Sequence, residues 1–128
     1  MHVRALETWR YDAVGHRRPP EKITWPTWQE IETAIHRMDR RERPILFLWA
    51  SDDPDLQMTD ELSERLEVMG GDGLYWLAGT CDGYFQRRFL DPSAGNEDVE
   101  VYGTQIEQGF GDEARHICRD LSLVLRAA

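Results

Sequence analysis

The chain has 128 residues, a hydrophobic fraction of 41%, an aromatic fraction of 10% and a net charge of −9. That is the profile of a single domain over 1–128 with a real core, not of a disordered segment. No apolar run reaches the ~20 residues of a membrane helix, the N-terminus lacks the apolar stretch of a signal peptide, and a strongly acidic chain repels nucleic acid. We therefore expect a cytoplasmic protein with no membrane or nucleic-acid partner, and with Cys81 and Cys118 as free thiols.

The acidity is local. Residues 1–50 carry a net charge of +2, residues 51–113 carry −13 and residues 114–128 carry +2. A field this concentrated attracts basic partners. A solvated acidic face kept for solubility has the same composition.

In chain order, Val3, Leu6, Trp9 and Tyr11 pattern as an edge strand. His16 to Pro20 is expected to be a loop, because consecutive prolines exclude helix and central strand. Thr27 followed by Glu30 is a capping box. Trp28, Ile31, Ile35 and Met38 then recur at helical spacing, so a helix is predicted over 27–39, with this stripe against a sheet and Arg40, Arg41 and Arg43 at its C-terminal end. Ile45 to Ala50 is a continuous apolar run bounded by Pro44 and Ser51-Asp52-Asp53-Pro54. It reads as a central strand, buried by helices on one face and partly covered on the other. Ser51 to Gln57 is an acidic loop. Residues 59–66 fit either a short helical turn capped by Thr59 or Asp60, or an extended run into the next strand; the helical turn is favoured.

Leu66 to Leu90 is the organising stretch. Asp72-Gly73 and Asp82-Gly83 supply the positive φ angles of tight hairpin turns, so a three-stranded meander is predicted near 65–69, 74–79 and 84–90. Tyr75, Trp76, Tyr84, Phe85 and Phe89 suit a half-buried pleated surface. Asp91 to Asn96 is a loop, Val99 and Val101 mark a last strand near 98–103, and 103–111 is an ordered loop with an extended piece at 105–108. Asp112 is expected to cap a final helix with Ile117, Leu121, Val124 and Leu125 inward. The class is α+β: an antiparallel sheet of about five strands with two main helices packed on one side.

Motifs for chemistry are missing. His2, His16, His36 and His116 have no ligand spacing with Cys or carboxylates, and Gly70-Gly71-Asp72-Gly73 lacks the Lys-Ser/Thr of a phosphate loop. A Cys81–His116 nucleophile pair is conceivable, but Asp82 would raise the thiol pKa. No metal, cofactor or catalytic residue is expected. An acidic domain rich in aromatics and without a catalytic constellation suits a binding protein.

The capped helix beginning Trp25-Pro26-Thr27-Trp28-Gln29-Glu30-Ile31, the strand Ile45 to Ala50, the glycine turn within Leu66 to Leu77, and Val99-Glu100-Val101-Tyr102-Gly103 before a closing helix resemble immunity protein family one of bacterial polymorphic toxin systems. The likeness lies in element order and a few glycines and aromatics over 23–126. It implies a non-enzymatic cytoplasmic protein that binds and blocks a cognate toxin domain, often a nucleic-acid deaminase, as a 1:1 heterodimer. Members continue into a Gly-, Pro- and Trp-containing segment, whereas this sequence ends at Ala128. Contact residues differ between pairs and cannot be carried over. From charge and aromatics, the expected toxin-binding residues are Asp52, Asp53 and Asp55, then Asp72, Trp76, Asp82 and Tyr84, and Glu97, Asp98 and Glu100. Core packing is the competing role for Trp76. The alternatives are an adaptor or scaffold domain for another basic protein, and a small cysteine-dependent enzyme.

Overall fold

The computed structural model describes residues 2–51, 64–81, 85–103, 106 and 109–127. Strands β1 (His2–Tyr11), β2 (Arg17–Thr24), β3 (Ile45–Ser51), β4 (Glu64–Gly71), β5 (Leu74–Cys81) and β6 (Phe85–Arg88) form an antiparallel sheet in the order β2-β1-β3-β4-β5-β6. Helix α1 (Trp28–His36) connects β2 to β3. Strands β7 (Asp98–Tyr102) and β8 (Phe110–Glu113) pair as a separate two-stranded ribbon. A 3₁₀ turn at Ala114–His116 leads to β9 (Ile117–Cys118), which runs beside Tyr75 and Trp76 of β5, and the chain closes with α2 (Leu121–Ala127). The α+β class holds, but the strand at 98–103 lies outside the main sheet.

The capping box forms as the sequence indicates. The Glu30 amide donates to Thr27 Oγ1 at 3.1 Å, and the Thr27 amide donates to Glu30 Oε1 at 3.0 Å. The helix is shorter than expected, ending at His36 with Arg37 as C-cap. Asp39 Oδ1 then accepts from the amides of Arg41, Glu42 and Arg43 and folds the chain toward β3. Burial raises the Asp39 carboxyl, but these three amides and the Arg43 charge outweigh it, and its pKa lies below the ordinary value.

Alternation on the strands feeds two cores. On one face Leu6, Leu46, Leu48, Val68, Tyr75 and Leu77 meet Ile31, Ile35 and Met38 at α1 and Val124 of α2, so both helices pack on one side. On the other, Tyr11, Ile45, Leu74, Trp76 and Ala78 meet Val101, Tyr102 and Ile106. Trp28 is corrected: as the first residue of α1 it is 49% exposed, and the inward stripe begins at Ile31.

Four other expectations change. β1 is a central strand, paired with β2 on one side and β3 on the other. A bulge between Val3 and Ala5 breaks its alternation, placing Val3 on the same side as Leu6. The Pro19-Pro20 segment belongs to β2 and sits where the register shifts, opposite Trp9. An edge strand tolerates missing N–H groups there, and Arg10 donates to the Pro19 carbonyl at 3.2 and 3.0 Å. Residues 64–66 are strand, not helical turn; 59–63 lie outside the described residues. Asp112 lies in β8, while Asp120 caps α2, accepting from the Ser122 amide at 3.0 Å.

The first glycine turn matches its reading. Asp72 (φ 53) and Gly73 (φ 84) make a two-residue turn between Gly71 and Leu74, with the double positive φ of a type I′ hairpin. Gly71 is needed for a second reason: a Cβ there would fall 2.6 Å from Asp39 Cα. Gly83 of the second turn lies outside the described residues.

Ile35 is fully buried between α1 and the sheet. Ile35→Ala should cost ~2–5 kcal/mol in urea unfolding; a loss below ~0.5 kcal/mol would place this face at the surface.

Candidate protein-binding face

The antiparallel register builds the face opposite the helices row by row. Trp9, Ile45, Met69, Trp76 and Ile117 stand in one row across the sheet. The β7–β8 ribbon packs over this apolar row, with Phe110 edge-on to Trp76 at 5.0 Å. The next row is Glu7, Phe47, Glu67, Ala78 and Arg88, and the one beyond begins Ala5, Trp49, Arg65. The face thus grades from closed and apolar to mixed aromatic and charged.

The fastening is polar. Asp112 of β8 accepts from the Trp76 indole at 2.9 Å and from Arg88 at 3.0 Å, so one carboxylate ties the ribbon to β5 and β6. Burial raises its pKa, but the indole N–H, the Glu113 amide and the charges of Arg88 and His116 outweigh this and hold it below 3.8.

Beyond the ribbon, half-buried rings continue in sequence. Trp9 and Phe47 are 5.5 Å apart, and Phe47 and Trp49 are 6.0 Å apart with planes inclined by 27°. Arg17 lies over Trp9 at 3.8 Å, and Arg65 approaches Phe47 at 6.0 Å and Trp49 at 5.6 Å. Two carboxylates pin this stripe. Glu7 accepts the Trp9 indole hydrogen at 2.7 Å, and Glu67 pairs with Arg65 at 2.9 Å. Glu67 is 7% exposed; burial pushes its carboxyl above 4.5, with Arg65 pulling the other way. Among the described residues the Arg65 Nε is buried without a hydrogen-bond partner. Rings and guanidiniums held in place before contact are the residue types that anchor protein interfaces, because they offer much area for little loss of side-chain freedom.

Comparison with known protein families, characterised proteins and solved structures finds no match to this chain.

Among the described residues, the expected site residues do not form one patch. Asp72 is exposed in its turn, and Glu100 is exposed on β7. Both flank the α1–β3 corner, since Gly71 abuts Asp39 and Arg40 donates to the Glu100 and Val101 carbonyls at 2.7 and 2.9 Å. Glu97 and Asp98 are exposed at the other end of β7, where the Ala114 amide donates to the Glu97 carbonyl. Asp52, Asp53, Asp55, Asp82 and Tyr84 lie outside the described residues. The strand ends that bracket them, Ser51, Glu64, Cys81 and Phe85, share the end of the sheet opposite the Asp72 turn. Trp76 is 5% exposed and takes the core-packing role. Phe47, Trp49, Arg17 and Arg65 were not among the expected site residues, and Trp9 was expected only as a strand residue. The alternation of Phe47 and Trp49 with Leu46 and Leu48 was the available signal.

The backbone register sets Cys81 and His116 apart. Ile117, beside His116, pairs with Trp76, five residues before Cys81, or ~16 Å along the strand. His116 Nδ1 is instead 2.9 Å from the Phe89 carbonyl. Cys118 is buried and free, opposite Tyr75, ~20 Å from Cys81 along β5 and beyond disulfide reach. Among the described residues no three His, Cys, Asp or Glu side chains converge as metal ligands.

A carboxyl with a depressed folded pKa gives stability that is present above its unfolded value and lost as pH falls through the folded one. Asp112→Asn should therefore lower the melting temperature at neutral pH, and the gap from wild type should close below pH 3.8. A gap that persists at about pH 2 would show that shape, not charge, sets the contribution of Asp112.

Proposed function

We propose that this chain is an immunity protein, which binds a cognate bacterial toxin domain and neutralises it by occluding its active site or substrate groove. One observation supports this reading most. The half-buried Trp9–Phe47–Trp49 stripe, framed by Arg17 and Arg65, runs from the margin of the β7–β8 cover across the rows beyond it. It ends two residues before Ser51, where the chain enters the acidic segment of Asp52, Asp53 and Asp55. In this reading the rings anchor the complex and the acidic segments at the sheet ends steer it.

The class of toxin follows from charge. A groove that holds nucleic-acid phosphates is basic and is drawn to a stretch of net charge −13. A nucleic-acid deaminase is the member of that class the family resemblance implies. The complex is a 1:1 heterodimer in the cytoplasm, without cofactor.

The test is surface-based kinetics against the toxin domain encoded beside this chain, with survival of toxin-expressing cells as the second readout. Trp49→Ala should cost ~2 kcal/mol or more of binding energy, mostly as faster dissociation. Asp52→Lys and Asp53→Lys should slow association, and added salt should do the same to the wild type. Binding without protection would favour the scaffold alternative, and an association rate indifferent to salt and to both reversals would leave the acidic segments to solubility. Cys81→Ser should protect as well as wild type; loss of protection by a folded variant would restore the thiol reading.

A further inference from the structure

We infer a ligand site on the opposite side of the sheet, for a small organic anion with an apolar body. A groove of about 340 Å³ runs between α1 and the β1–β2 edge, lined by Leu6, Ile23 and Ala34 on its apolar floor. That volume lies at the low end of small-molecule pockets. From Glu30 to Arg37 the lining helix rises ~10 Å, about the length of a substituted ring.

The chemistry concentrates at one end. Arg10, Arg37 and Arg43 surround Glu21 at 3.6, 3.9 and 3.2 Å. Only the Arg43 contact is also a hydrogen bond to Glu21. Arg37 stands at ion-pair distance, and Arg10 donates from Nε and Nη2 to the Pro19 carbonyl. The Arg43 Nε is buried and has no hydrogen-bond partner among the described residues. The second carboxylate of the lining, Glu30, is held at the helix start by the Thr27 amide. Arg37 and Arg43 line the groove with Glu21, and Arg10 adds a third guanidinium to that carboxylate. Guanidinium forks match carboxylate and phosphate oxygens. Glu21 occupies part of the position that a ligand head group would take, with the apolar body lying along Leu6, Ile23 and Ala34.

This site rests on other residues than the aromatic stripe and lies across the sheet from it, so either can fail alone. The experiment is amide-detected NMR titration of the full chain with phenyl phosphate and with benzoate, using inorganic phosphate and benzyl alcohol as head-only and body-only probes. At least one of the two ring anions should give saturable shifts at Ile23, Thr33 and Ala34, and both partial probes should bind more weakly. Which ring anion binds more tightly distinguishes a phosphate from a carboxylate ligand. Arg37→Gln should weaken the tighter probe about tenfold. Glu21→Gln should tighten it by removing the internal competitor, an effect that a merely structural ion cluster would not give. Thr33→Trp, at an exposed helix position, should fill the groove and abolish the shifts. No saturable shift with either ring anion, shifts that survive Thr33→Trp, or weaker binding in a folded Glu21→Gln variant would overturn the proposal.

Discussion

The bond from the Trp76 indole to Asp112 fixes how the second face of the sheet is used. Trp76 lies on β5 among apolar neighbours, and an indole N–H buried there needs an acceptor. Asp112 supplies it from β8, and Arg88 compensates the charge from β6. The ribbon is therefore held toward the β5–β6 side. Tyr102 and Phe110, 5.9 Å apart, complete the cover. Without that polar anchor, an apolar ribbon on an apolar face would have little to fix its register.

Among the described residues, geometry then leaves part of the face outside the ribbon's cover. Six strands at ~4.8 Å spacing span ~24 Å, whereas two paired strands cover far less. β7 has five residues and β8 four, so the ribbon is also short along the strand direction. Trp9 ends the covered row and the rows beyond carry Phe47 and Trp49, the three rings packing in sequence and on arginines. The partial cover and the aromatic stripe are two results of the same mismatch in size. The proposed toxin contact uses the area that this mismatch leaves.

Local signals were legible where they act alone. The Thr27–Glu30 box, the Asp72-Gly73 turn and the uninterrupted run at Ile45 each specify backbone geometry within a few residues, and each formed. Signals failed where a long-range partner decided the outcome. Val3, Leu6, Trp9 and Tyr11 do not alternate cleanly, because a bulge intervenes and β1 sends apolar side chains to both faces of the sheet. Asp112 reads as a helix cap because its acceptor role toward Trp76 spans 36 residues. Pro19-Pro20 excludes a central strand but not an edge strand, and only the pairing of β2 with β1 decides between them. Of the proposed site, the acidic residues were chosen by charge alone, while the stripe needed the register of β1 against β3 before its rings could be seen side by side.

The prolines of β2 have a consequence for how this molecule meets copies of itself. An open sheet offers its outermost strands as templates on which another chain can hydrogen-bond and polymerise. Pro19 and Pro20 remove two successive amide donors from this edge strand, one on each side of it by strand alternation, and the register shift there bends the ladder away from straight. At the other border β6 has only four residues and β9 two, too short a run for a stable added strand. Strand addition is thereby discouraged at both margins of the main sheet.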